Sequence, residues 1–223
     1  MLRDRTFTLV TGRKGKADFR VSAAGRGAHA GSFHHNGVNA IVALASVIPQ
    51  LAALTNYDNE LTLNVGNIRG GTVVNRVPHE ATVEFELRAF EPEVFARAQA
   101  AVRAVAGPSL AVPGAEFAVS MLGQTAPWPA DERTLTLFQT FHDVAVAQGY
   151  QAVAERRGGL SDANYLSGLG PTLDGLGPAG GCAHCSERSA DGLKVPEYVE
   201  PASLVPKAAL VVESLVRWLE NAR

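Results

Sequence analysis

Between positions 16 and 125 the hydrophobic residues change period in a fixed order. Phe19 and Val21 alternate with Asp18, Arg20 and Ser22, as in a half-buried strand, and Ile41, Leu44, Ile48 and Leu51 then follow at helical spacing. Leu61, Leu63 and Val65 alternate again, and Val83, Phe85 and Leu87 face away from Glu84, Glu86 and Arg88. Pro92 stands at the first turn of a helix with the stripe Phe95, Ala98, Val102 and Val105, which Gly107 stops; Phe117, Val119 and Met121 close the series as a strand. The order β-α-β-β-α-β predicts one four-stranded sheet with both helices on one face, the ferredoxin-like arrangement, and leaves the other face and an edge free.

The rhythm changes after Pro127-Trp128-Pro129. A helix is predicted over 131–148, stopped by Gly149, then a short strand around Val153. Gly158-Gly159-Leu160-Ser161-Asp162 reads as a turn into a helix capped by Ser161 or Asp162. A short buried strand over 172–176 and an amphipathic closing helix over 204–219 follow. These elements alternate, but about 95 residues hold too few strands for an independent doubly wound sheet. The first 15 residues, with a strand over 7–10, form a matching stub. The expected fold is α/β: a ferredoxin-like βαββαβ domain at 16–125, inserted in a truncated α/β domain made of 1–15 and 126–223.

Composition narrows the function classes. A net charge of −2 and a pI near 6.3 leave no basic footprint for nucleic acid, and no run of like charge suits a polyanion or a membrane surface. Apolar runs are broken well before the roughly 18 residues a membrane span needs, and no apolar core follows Met1-Leu2-Arg3-Asp4-Arg5. The two cysteines, Cys182 and Cys185, are too few for a disulfide framework and are either the mark of a reducing compartment or an incidental pair; cytoplasm is the default expectation.

Four clusters carry polar groups on glycine-rich turns. Gly25-Arg26-Gly27-Ala28-His29-Ala30-Gly31 exposes the His29 imidazole where it can donate to a developing oxyanion, or where it is simply a turn histidine. The stretch from Gly66 to Pro78, with Asn75, is too long for a tight hairpin, polar at its tip, and either a recognition loop or only a loop. Arg88 ends its strand on the polar face and can fork onto a carboxylate; Arg156-Arg157 before Gly158-Gly159 repeats the theme. His184 follows Gly180-Gly181 where open α/β sheets place ligands, and neutral imidazole is the commonest metal ligand. Cys182-Ala183-His184-Cys185 is not a zinc knuckle, since no second pair of suitable spacing exists. His34-His35 reads as surface. Phosphate-loop, nucleophile-elbow and zincin motifs are absent.

Together these segments resemble the C-terminal part of the zinc exopeptidase and amidohydrolase superfamily of glutamate carboxypeptidase, aminoacylase and succinyl-diaminopimelate desuccinylase. The matching stretches are Thr11-Gly12-Arg13-Lys14-Gly15, Gly27 to Gly31 with Gly37-Val38-Asn39-Ala40-Ile41, Gly70-Gly71-Thr72 with Asn75 and Val77-Pro78, Arg88, Gly158 to Ala163, and His184 with Glu197-Tyr198-Val199, in family order. The resemblance implies a homodimeric hydrolase that cuts an amide bond beside a carboxylate in a peptide or N-acyl amino acid. Its catalytic domain holds two zinc ions and a glutamate general base. Residues 16–125 are then the lid, or dimerisation, domain. By position His184 matches the last zinc ligand, and His29 the lid histidine that reaches the partner's site. Asn75, Arg88 and, more loosely, Arg156 match residues that hold the substrate carboxylate. The family's H-x-D pair, bridging aspartate and tandem glutamates precede the lid and are not in this sequence. Leu160 also replaces a frequent glycine, and the link from His184 to Glu197 is lengthened. The expectation is a fragment that lacks most metal ligands and the general base, does not hold zinc by itself and is inactive alone. The alternative is a non-catalytic dimerisation or binding module built on the lid.

Overall fold

A computed structural model describes residues 2–3, 5–182 and 188–221. In chain order the elements are β1 (Leu2–Arg3), β2 (Thr6–Arg13), β3 (Gly15–Ala24), α1 (Ala40–Ala52), β4 (Thr62–Gly70), β5 (Glu80–Ala89), α2 (Pro92–Arg103), β6 (Gly107–Pro108) and β7 (Glu116–Thr125). They continue as α3 (Glu132–Ala147), β8 (Gln151–Arg157), α4 (Ala163–Leu166), β9 (Gly180–Gly181), β10 (Tyr198–Val199) and α5 (Leu204–Asn221). Two compact units result: Arg13–Pro129 with Gly158–Tyr165, and Met1–Gly12 with Ala130–Arg157 and Leu166–Arg223.

The first unit is an antiparallel sheet of order β4-β5-β3-β7-β6. Its four long strands and two helices are the ferredoxin-like βαββαβ arrangement read from the sequence. Period-two alternation buries Ala17, Phe19, Val21 and Ala23 of β3 beside Ala81, Val83, Phe85, Leu87 and Ala89 of β5. Onto that face α1 packs Ala43, Leu44, Val47 and Leu51, and α2 packs Phe95, Ala98 and Val102. Phe19 and Phe85 are register partners whose rings stack 5.9 Å apart, and each such side chain contributes about 1.5–3 kcal/mol of burial. Asn39 starts α1 by accepting from the Val42 N–H at 3.1 Å, and Pro92 fixes the first turn of α2. The opposite face is polar, with Arg20 on Glu84 and Lys16 on Asp18 at 2.9 Å.

The hairpin from β4 to β5 differs from expectation. The register shifts between Val65 and Asn67, so Gly66 lies in a bulge and β4 runs on to Gly70 instead of opening into a loop at Gly66. The connection is therefore 71–79, and its tip is apolar: Val73 and the fully exposed Val74 stand there.

The second unit has the three-stranded sheet β1-β2-β8, against which α3 and α5 pack. Its core is Phe7 and Leu9 of β2 with Leu137, Phe141, Val144, Ala145, Ala152 and Leu210. Asp131 caps α3 by accepting from the Thr134 N–H at 2.7 Å. The strand predicted over 172–176 is reduced to one bridge, Val10 to Asp174, because Gly175 turns the chain at φ 72°. Helix α5 also departs from simple amphipathicity. It buries Lys207, Leu210 and Ser214 and leaves Val205, Val212, Val216 and Leu219 exposed.

Candidate functional site

At the open end of the first unit, beyond the Ala24–Glu80 pair, the two glycine-rich segments zip together. The Gly25 N–H donates to His79 O, Val77 N–H to Ala28 O and Ala30 N–H to Asn75 O, and His29 and Arg76 face each other in an antiparallel bridge. Gly25 is required here, because a Cβ would stand 2.2 Å from the Val38 carbonyl oxygen.

The His29 imidazole is oriented by its own turn. Its Nδ1 accepts from the N–H groups of Gly31 at 3.2 Å and Ser32 at 3.1 Å. In the neutral ring the proton then sits on Nε2, an exposed donor. Asn75, also exposed, lies beside it in the ladder. The adjoining groove has a volume near 540 Å³ and is lined by Ala30, Asn39, Ile41, Thr72, Val74 and Arg76 among others. An oriented N–H donor at the rim of a groove suits a developing oxyanion.

Arg88 sits at the other end of β5. Ala81 and Arg88 are separated by about 23 Å at ~3.3 Å per residue, so one copy of the chain does not bring Arg88 to His29. Its guanidinium forks onto Glu86, with Nε to Oε1 at 2.9 Å and Nη2 to Oε2 at 3.1 Å, and Nη1 donates to Gly158 O at 3.0 Å. The Arg88 hydrogen bonds, aided by the Arg88 and Lys16 charges, hold the Glu86 carboxyl below the usual carboxylate range against the effect of burial.

The same contacts belong to a fastening that the sequence reading did not anticipate. Arg13 Nη1 donates to Gly159 O at 2.7 Å, Asn164 Nδ2 to Lys14 O at 3.2 Å and Ala126 O at 3.0 Å, and Tyr165 Oη lies 2.9 Å from Thr125 Oγ1. The Ser161 hydroxyl accepts from Ala163 N–H at 3.2 Å and starts α4. Residues 158–165 are thereby clamped to Arg13 and Lys14 ahead of β3, to Arg88 of β5 and to the end of β7.

The remaining candidates lie elsewhere. Arg156 is exposed on β8 of the second unit. His184 lies outside the described residues. The glycines before it have a visible purpose: β9 pairs with β10, and a Cβ on Gly181 would stand 2.8 Å from the Tyr198 ring. Among the described residues no three His, Cys, Asp or Glu side chains form a group able to hold a metal ion, so their donor set does not fit a zinc site. Among the described residues no helix is long and apolar enough to cross a membrane. Sequence reasoning passed over Arg76, whose only signal was its place next to Asn75 and opposite a candidate histidine.

Residues 11–111 match the peptidase dimerisation domain. Carboxypeptidase G2 of a Pseudomonas species is 28% identical over 215 residues, covering 93% of this chain and 48% of that protein. N-acetyl-L-cysteine deacetylase of Bacillus subtilis is 32% identical over 80 residues, 34% of this chain and 19% of the relative. Among solved structures, aminopeptidase PepT of Bacillus cereus superposes with a TM-score of 0.73 at 25% identity, covering 93% of this chain and 52% of that one. The chain thus spans about half the length, or less, of the proteins it matches.

Proposed function

We propose that the chain, whose residues 11–111 match the peptidase dimerisation domain, belongs to the zinc peptidase and amidohydrolase superfamily and serves in hydrolysis of an amide bond beside a carboxylate, as in carboxypeptidases and N-acyl-amino-acid deacylases. The observation that carries this reading is His29: an exposed imidazole whose Nδ1 is saturated by two backbone donors, leaving Nε2–H to stabilise the tetrahedral oxyanion. Asn75 and the Arg88–Glu86 pair are its companions for orienting the substrate, Arg156 belongs to the same set in the second unit, and His184 supplies one zinc ligand.

The lid acts as a homodimer in this reading. Among the described residues β4 is a sheet edge with β5 as its only strand partner, and Ile41 and Val42 of α1, Ile68 of β4 and Val73 beside it are exposed apolar residues along that border. Edge-to-edge pairing across a two-fold axis covers them and carries His29 of one copy toward the site of the other. The exposed Val212, Val216 and Leu219 of α5 support packing of the second unit against further polypeptide, which is where the other metal ligands and the general base belong. The 223-residue chain alone is then inactive. The test is zinc content and hydrolysis of N-acyl amino acids and short peptides by the purified chain with zinc supplied. Zinc well below one ion per chain and no turnover are expected; stoichiometric zinc with turnover contradicts the proposed inactivity.

A further inference from the structure

We propose that Tyr57, on the turn ahead of β4, crosses to the partner copy and fills the groove between the partner's α1 and its 71–78 connection, so that the wall beside each His29–Arg76 rung is built from two chains. This assignment rests on the self-pairing along β4 and α1 proposed above and adds the side chain that crosses it.

The turn holds its shape without help from a partner. Asn56 and Leu61 exchange both backbone hydrogen bonds at 2.9 Å, Asn56 Oδ1 accepts from the Asn59 N–H at 3.0 Å, and Glu60 closes the loop at φ 52°. Within this frame Tyr57 is 82% exposed. A large ring held out on a fixed turn loses little freedom when a partner covers it, which favours its use as an anchor.

The edge of β4 sets where that ring goes. Thr55 Oγ1 accepts from the Leu63 N–H at 3.0 Å and donates to Leu63 O at 3.3 Å, so the groups that Leu63 turns away from β5 are already satisfied within the chain. Self-pairing is left to the second half of the strand, around the exposed Ile68. Two such strands related by a two-fold axis run antiparallel, and each copy's turn 56–61 then passes the partner's connection 71–78. The groove opens on that same edge: Ile41 of α1, Gly70 at the end of β4, and Thr72, Val73 and Val74 of the connection line it, around a volume near 540 Å³. Aliphatic walls suit the ring, while the Thr72 hydroxyl and the Arg76 side chain, also in the lining, suit a phenol oxygen.

Charge favours the same arrangement. Residues 55–61 carry Asp58 and Glu60 and no base, whereas 71–79 carry Arg76 and His79 and no acid. Antiparallel pairing lays each acidic turn against the partner's basic connection, and contact of like ends would set equal charges together.

The experiment measures the dimer of the 223-residue chain by sedimentation equilibrium. Tyr57→Ala is expected to weaken it about tenfold or more, as loss of an aromatic anchor does, with no change in the thermal unfolding of the dissociated chain. Asp58→Lys and Arg76→Glu are each expected to weaken it several-fold and, combined in one chain, to restore it. Tyr57→Cys with Val74→Cys, in a background of Cys182→Ser and Cys185→Ser, should give a disulfide-linked species of twice 23.5 kDa on mild oxidation; within one chain the two positions stand beyond opposite ends of β4, out of each other's reach. If wild type dimerises but Tyr57→Ala leaves the dimer as tight, or the cysteine pair stays unlinked, the proposal is overturned while the dimer stands, and the groove is left to a substrate side chain. A combined charge variant as weak as the single ones overturns the charge pairing. If wild type stays a single chain at every concentration, the dimer and the proposal both fall.

Discussion

Lys207 offers the sharpest energetic test of the second unit. It is 5% exposed, and among the described residues its Nζ has one long hydrogen bond, to Thr8 O at 3.4 Å, and a place 5.2 Å from the Phe7 ring centroid. Burial first, and the Arg157 charge second, lower its pKa to about 8. In the unfolded chain a lysine titrates near 10.4, so the gap is about 2.4 units. At 1.36 kcal/mol per unit this is ~3 kcal/mol, reduced to about 2 kcal/mol for residual solvation of the ammonium end. The sign follows from proton counting. Below the folded pKa both states carry the proton, and folding bears the cost of a buried charge. Between about pH 8 and 10.4 the unfolded state binds more protons, so stability rises with pH. Lys207→Met keeps the volume and removes the charge. At neutral pH it is expected to stabilise the chain by about 1–2 kcal/mol, after about 1 kcal/mol for the lost hydrogen bond. The assay is urea unfolding of both proteins across that window, read as the difference between them so that other lysines and the tyrosines cancel. The difference should shrink as pH rises. A difference that is flat with pH refutes the reasoning, because Lys207 then keeps its proton in the folded state.

Two smaller changes probe local design. Gly180→Ala puts a Cβ 2.2 Å from Tyr198 O and should part β9 from β10, costing about 1–3 kcal/mol and speeding amide exchange at Tyr198 and Val199. Asp131→Ala should cost about 1 kcal/mol through loss of the α3 cap, measured by thermal unfolding. The backbone hydrogen bond from Thr134 lowers the Asp131 pKa, so its contribution is present above the unfolded value and is lost as pH falls through the folded one; Asp131→Asn should keep the cap and flatten that acid loss.

The lid was legible because each of its elements has one buried face, and period alone then assigns it: Phe19, Val21, Phe85 and Leu87 point inward as their alternation requires. What failed was governed by single backbone events. The bulge at Gly66 carries β4 four residues beyond the expected loop start, and Gly175 turns the chain where 172–176 looked like a strand. α5 misled for another reason: it is apolar on more than one side, so periodicity does not say which side meets Phe7 and Leu9. In the site, His29 was visible as a histidine among glycines. Its tautomer and the engagement of Arg88 by Glu86 are set by contacts two or three residues away, but they depend on turn and rotamer geometry that hydrophobic period does not report; the clamping of residues 158–165 depends on contacts up to 150 residues apart, which no local pattern encodes.

The functional reading turns on one claim, that the first unit pairs with its own copy along β4 and α1. Sedimentation equilibrium of the 223-residue chain tests it. The account predicts a mass of twice 23.5 kDa for wild type, and dissociation toward a single chain for Ile68→Asp and Val42→Asp, each of which places a charge in that apolar border. A single-chain mass for wild type at every concentration, or a dimer indifferent to both substitutions, contradicts it.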